Sequence, residues 1–140
     1  MSRDATADLY AAVRGALIAD GVINGLVIGR VFSSWDNQEV PTPLIRMSIP
    51  SVRQFEMDAF SDGGGSESNV NVHVFTSESG PIACSQIASR VRDVLENAPL
   101  MLLGSDLFSM QYRDTIHTAD PQMPSLQMAV VRFLATTTTK

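Results

Sequence analysis

The sequence predicts an α+β domain, a mixed or antiparallel sheet with two helices packed on one face, in the order α-β-β-β-α-β-β. Three observations carry this expectation. Val70-Asn71-Val72-His73-Val74-Phe75-Thr76 alternates strictly, with its valines on one face, which marks a strand buried on one side. Ala83, Ile87, Val91, Val94 and Leu95 follow at the three-and-four spacing of an apolar helical stripe. A second such stripe, Leu9, Val13, Ala16 and Leu17, lies near the N-terminus. Two striped helices need an apolar surface to cover, and a sheet supplies one.

Taken in order, the first helix is expected over Asp4–Asp20. Asp4 or Thr6 can cap its start, and Asp20-Gly21 can stop it because glycine takes the left-handed conformation readily. Gly15 inside it costs about 1 kcal/mol relative to alanine and could mark close approach to the sheet. Val22–Gly29, broken by Gly25 and Gly29, reads as a turn segment. Arg30-Val31-Phe32-Ser33 begins a strand, and Trp35–Pro43 reads as a loop. Leu44–Pro50 alternates again, with Pro43 before it and Pro50 at its exit, since proline cannot donate to a central ladder. Val52–Phe60 alternates weakly and gives way to a glycine-serine stretch, about 61–68, flexible by composition.

After the valine strand, Ser79 or Gly80 can cap the central helix, with Pro81 at its first position, where no amide hydrogen is needed. Asn97-Ala98-Pro99 stops it. Leu100–Leu103 is apolar, Gly104-Ser105-Asp106 reads as a turn, and Leu107–Ile116 alternates. His117–Pro124 reads as a polar loop. Leu126–Ala135 carries apolar residues on both faces, as a central strand does. The threonines and lysine of 136–140 read as a frayed tail. The whole, 1–140, is expected to form one domain.

Composition narrows the function. A hydrophobic fraction of 44% and a charged fraction of 18% are globular values. No run of about eighteen apolar residues is present, so no membrane-spanning helix is expected. Met1-Ser2-Arg3-Asp4 has no apolar stretch behind it, and no secretory signal is expected. The lone Cys84 suits a reducing cytoplasm and is expected to be a buried apolar residue of the central helix. The net charge is −5, with nine arginines and one lysine spread along the chain. That spacing shows no basic stripe for gripping nucleic acid.

Chemistry is harder to find. His73 and His117 have no partners at metal-ligand spacing, and His73 reads as a satisfied or half-exposed strand residue. Asp58, Asp62 and Glu67 fall in the flexible stretch, where no scaffold fixes a carboxylate pair. The serines lack a nucleophile elbow, and the glycines lack the lysine of a phosphate loop. No catalytic, cofactor-binding or metal site is expected, and the chain reads as a non-enzyme. Loop aromatics such as Trp35 and Phe60 either fold back on the core or anchor a partner.

The ordered set of segments resembles the tail-completion, or tail-terminator, proteins of long-tailed phages and phage-like gene transfer agents. An amphipathic helix ends in Asp20-Gly21, and Arg30-Val31-Phe32 and Pro41-Thr42-Pro43-Leu44-Ile45 follow. Then come the valine strand through Ser77, the helix with Ala83, Ile87, Val91 and Leu95, Pro99-Leu100, Gly104-x-x-Leu107 and Arg132-Phe133. The resemblance covers about Leu9 to Ala135. It implies a structural assembly protein of the particle's tail or neck, made in the bacterial host cytoplasm. As a homo-hexameric ring it would cap the tail tube, stop its polymerisation and meet the head–tail connector. DNA would pass through the ring without specific binding, and no membrane would be involved. The alternatives are another head–tail joining (neck) protein and, from a different class, a small-molecule-binding α+β domain. Interface residues are expected at Trp35, Arg53, Phe55, Phe60, Arg113 and His117, from loop position and exposure.

Overall fold

The computed structural model describes residues 6–33, 42–55, 65–77, 82–96, 98–100, 102, 105–119 and 126–139. Its elements are α1 (Thr6–Ala19), α2 (Gly21–Val27), β1 (Val31–Phe32), β2 (Leu44–Phe55), β3 (Gly65–Thr76), α3 (Ile82–Leu95), β4 (Ser105–Ala119) and β5 (Gln127–Thr139). The sheet runs β1-β2-β3-β5-β4, with β1 parallel to β2 and every other pair antiparallel. It is therefore a mixed sheet, and β5 is a central strand.

Alternation decides which face is covered. In β3, Val70, Val72 and Val74 are buried, and register sets them beside Met47 and Ile45 of β2 and Phe133, Val131 and Ala129 of β5. These side chains form one core with Leu9, Val13 and Leu17 of α1, Ile23 and Val27 of α2, and Ile87, Val91 and Leu95 of α3. Burying each such aliphatic side chain contributes about 1.5–3 kcal/mol. Helix α1 lies over β1 and β2, and α3 over β3, β5 and β4. All the helices thus cover the same face. Cys84 is buried there, as its place in the stripe predicts, and its thiol donates to the Val74 carbonyl at 3.4 Å.

Several expectations need correction. Val22–Gly29 is not a turn segment, because Gly21–Val27 is helical and the element order becomes α-α-β-β-β-α-β-β. Two features hold this short helix despite Gly25. Asp20 ends α1 and caps α2, its carboxylate accepting from the Ile23 amide at 3.0 Å, and Ile23 and Val27 are buried one turn apart. The exit is tight, with Ile28 at φ 53° and Gly29 at φ 70°. A β-branched residue rarely adopts that conformation; Val27 and Val31, both buried, fix the chain on either side of it. Gly15 has open space around it, so it marks no close approach to the sheet.

The strands run further than composition suggests. Pro50 does not end β2; it lies at a bulge between Ser48 and Ser51, where the missing amide hydrogen breaks no regular ladder. Gly65–Ser68 is not loop but the start of β3, paired with β2 on one side and β5 on the other. Hydrogen bonding on both edges overrides a flexible composition. Residues 61–64 lie outside the described ones, as do the expected capping residues Asp4, Ser79 and Gly80. Ser105 and Asp106 belong to β4 rather than a turn, and His117–Ala119 continue it against Gln127–Ala129. Thr136–Thr139 are not frayed. They extend β5, and Thr137 is buried.

Candidate docking surfaces

Among the described residues no helix lies over the second face of the sheet, and its residues come from four strands. Odd positions of β3 point there, so Glu67, Asn69, Asn71, His73 and Phe75 alternate with the buried valines. Register adds Arg46, Ser48 and Arg53 from β2 and Val130, Arg132 and Leu134 from β5. In β4 a bulge between Tyr112 and Asp114 changes which residues face outward. Tyr112 stays on the covered side, edge-on to Phe133 with the Arg92 guanidinium 3.9 Å from its ring centre. Arg113 and Asp114 both reach the open side.

The charged groups of this face are organised in pairs. Asp114 accepts a two-pronged hydrogen bond from Arg132, and that contact holds its carboxyl below the usual carboxylate range. Arg53 lies 3.6 Å from Glu67. Arg46 stacks over the Phe32 ring at 5.4 Å. Arg113 donates only a long hydrogen bond, 3.4 Å, to the Asn69 side-chain carbonyl, and has no carboxylate within ion-pair distance among the described residues. Pro50, Ser51, Asn69, Asn71, Arg113 and Arg132 enclose a groove of about 260 Å³. His73 bridges to the Ser48 hydroxyl at 3.2 Å and stacks on Phe75, and burial pushes its pKa down.

A second surface lies at one end of the helical layer. Leu26, Pro43, Thr76, Ala83 and Ile87 help line a groove of about 350 Å³. Val22 and Leu26 from α2, Ile28 just after it, and Ile82 at the start of α3, are exposed large apolar residues. Ile28 and Ile82 are 70% and 73% exposed, far more than core packing tolerates. Asp20 anchors this region from below, because Arg90 of α3 grips its carboxylate at 2.7 and 3.0 Å. The Arg90 hydrogen bonds, with the Ile23 amide, hold the Asp20 pKa down.

The sheet edges are the third surface. Among the described residues β4 borders only β5, and β1 covers only Ile45 and Arg46 of β2. Part of the remaining β2 edge is capped from α1, since the Tyr10 hydroxyl accepts from the Ile49 amide at 2.8 Å.

Of the residues expected at interfaces, the fold brings Arg53 and Arg113 to the open face. His117 is exposed on β4 opposite Ala129 and does not line the groove. Phe55 ends β2 opposite Gly65, and Trp35 and Phe60 lie outside the described residues. Sequence reasoning missed Asn69, Asn71 and Arg132. It also took the arginines as scattered, whereas four of them share one face. The available signal was the valine alternation itself, which assigns Asn69 and Asn71 to the face opposite the core. Among the described residues no cluster of His, Cys, Asp or Glu could hold a metal ion. No single described helix is long and apolar enough to cross a membrane.

Two grooves open to solvent, a sheet face without a helix and strand edges without a neighbour, among the described residues, are the candidate docking surfaces. The comparisons agree in kind. The family model described as tail completion protein gp17 matches residues 11–138, and the chain belongs to that family. It is thus a structural protein of tail completion in a phage or phage-like particle. Among solved structures, a chain from a structure titled "Virion of native gene transfer agent (GTA) particle" shares the fold. It has a TM-score of 0.84 at 20% identity, over 98% of this chain and 99% of that one. Among curated proteins none matches the chain.

Proposed function

We propose that this chain is a tail terminator, acting as one unit over 1–140. Six copies form a ring on the end of the tail tube, stop further tube addition and present the opposite surface to the head–tail connector. DNA passes through the ring without specific binding. The subunit is made in the bacterial host cytoplasm and ends in the particle. The observation that carries this reading is the family match over residues 11–138. The bare face and uncovered edges support it, since a ring subunit must offer two different surfaces to its neighbours. Arg53, Phe55, Arg113 and His117, with Trp35 and Phe60, are the proposed contact residues.

A growing tube end stays competent until something different occupies it. A terminator binds that end and offers no further tube-binding surface. Deleting the gene in a particle-producing strain is therefore expected to leave overlong tubes, many without heads, in electron micrographs. Tails of normal length beside separate filled heads would instead indicate a neck protein. Normal infectious or gene-transferring particles would reject both roles.

A further inference from the structure

We propose that the apolar groove between α2 and the start of α3 seats the β4 margin of the next copy of this chain, with Ile28 and Ile116 as the meeting side chains. This rests on the ring reading above and names a contact between neighbours in that ring. Helix α2 is apolar on both sides: Ile23 and Val27 enter the core, while Val22 and Leu26 stand exposed on the other. A helix that is apolar all round is ordinarily a buried one. Ile28 is the sharper sign. It holds a left-handed conformation, φ 53° and ψ 49°, which glycine adopts freely and a β-branched residue adopts only under strain. Its side chain is 70% exposed, so core packing does not repay that strain. In the free subunit isoleucine here is costly in backbone energy and in apolar surface left to water; a neighbour that covers it offsets both.

The same subunit carries an apolar complement. Besides Val22, Leu26, Ile28 and Ile82, the exposed large apolar residue among the described ones is Ile116, on β4. It lies opposite Val130 and next to His117, one of the contact residues proposed above. Ile28 stands just before β1, at one margin of the sheet, and Ile116 stands on β4, at the other. A head-to-tail contact, the kind that closes into rings, needs two different patches on two sides of one subunit. The groove itself suits an uncharged occupant. Leu26, Pro43, Ala83 and Ile87 are apolar, the Thr42 hydroxyl donates to Ser77 Oγ at 2.6 Å, and no charged side chain is among the described lining residues. Nucleic acid phosphates or an acidic surface would find no cation there. A two-fold pair meeting groove to groove would cover α2 but leave Ile116 bare.

The test uses full-length protein with isolated tail tubes and reads assembly by native mass spectrometry. Ile28→Gly is expected to raise the melting temperature of the free subunit by a few degrees, because the strain is released, and to raise the concentration needed for ring assembly at least about tenfold. A gain in stability joined to a loss of assembly is a result that a merely structural role would not give. Ile116→Ser is expected to weaken assembly likewise and leave the melting temperature unchanged. Cys84 is buried, so a short bismaleimide linker reaches only introduced cysteines. Copies carrying Ile28→Cys mixed with copies carrying Ile116→Cys are expected to be joined on tube ends, and neither variant alone. If Ile28→Gly forms rings as readily as wild type, or Ile28→Cys is joined only to its own kind or to tube protein, the proposed contact is wrong while the ring stands. If wild type forms no ring even on tube ends, the ring reading falls and this contact with it.

Discussion

The two faces of one sheet divide the protein's work. On the helix-covered side Val72, Val74, Val131 and Phe133 are wholly buried, and no charged side chain enters from β3 or β5. On the open side the alternate residues of the same strands are Asn69, Asn71, His73 and Arg132, half-buried, and the side chains of Asn69, His73 and Arg132 are hydrogen-bonded or ion-paired to neighbouring strands. Adjacent residues of β3 thus serve opposite ends. Those on one side hold the subunit together, and those on the other are available to meet something else. Within β3 and within β5, substitutions should therefore separate stability from assembly by position along the strand, odd against even.

The largest effect is expected from Val74→Asp. A carboxylate placed against α3 has no partner there, and its burial costs several kcal/mol, a large part of an ordinary domain's stability. The protein is expected in the insoluble fraction; a soluble variant with a cooperative melt would show that this face is not the core.

Asp20→Ala tests the helical layer more gently. It removes the α2 cap and the carboxylate held by Arg90, with an expected loss of about 1–2 kcal/mol in urea unfolding. The same carboxylate gives a pH signature. Its folded pKa is depressed, so its contribution is complete above the unfolded value of about 4 and is lost as pH falls through the lower folded value. The gap between wild type and variant should narrow only below about pH 4, and a gap that closes already near neutrality would contradict this. The smallest effect is expected at Gln111→Ala, an exposed position on the open side of β4. Its unfolding midpoint should correspond to a change within about 0.5 kcal/mol. A drop as large as that of Asp20→Ala would erase the contrast between the faces.

How far the sequence could be read follows the same division. The valine strand, the β5 pattern and both striped helices were legible because burial on one side imposes a period. α2 was not, since seven residues with two glycines show little period and its stabilising partner, Arg90, lies 70 residues beyond Asp20. Gly65–Ser68 looked like loop because its composition is that of loop; only pairing on both edges makes it strand. The candidate site was less legible still. Arg53, Arg113 and Arg132 are far apart in the chain, and nothing short of strand register could put them on one surface. Arg113 and Asp114 also depend on a bulge that no local motif announces.

Strand order has a consequence for how the molecule comes into being. β5 is the fifth strand to emerge during synthesis, yet it lies between β3 and β4. Until it arrives, those two strands have no common neighbour, and each leaves a row of backbone groups open to any passing strand. The hairpins β2–β3 and β4–β5 can form locally, but the step that joins them pairs segments some sixty residues apart, as Val72 and Val131 are. Folding should therefore be slow and the nascent chain prone to stick to its neighbours. In a cell making many copies at once, production of this subunit should depend on chaperone supply before it depends on the particle it is meant to join.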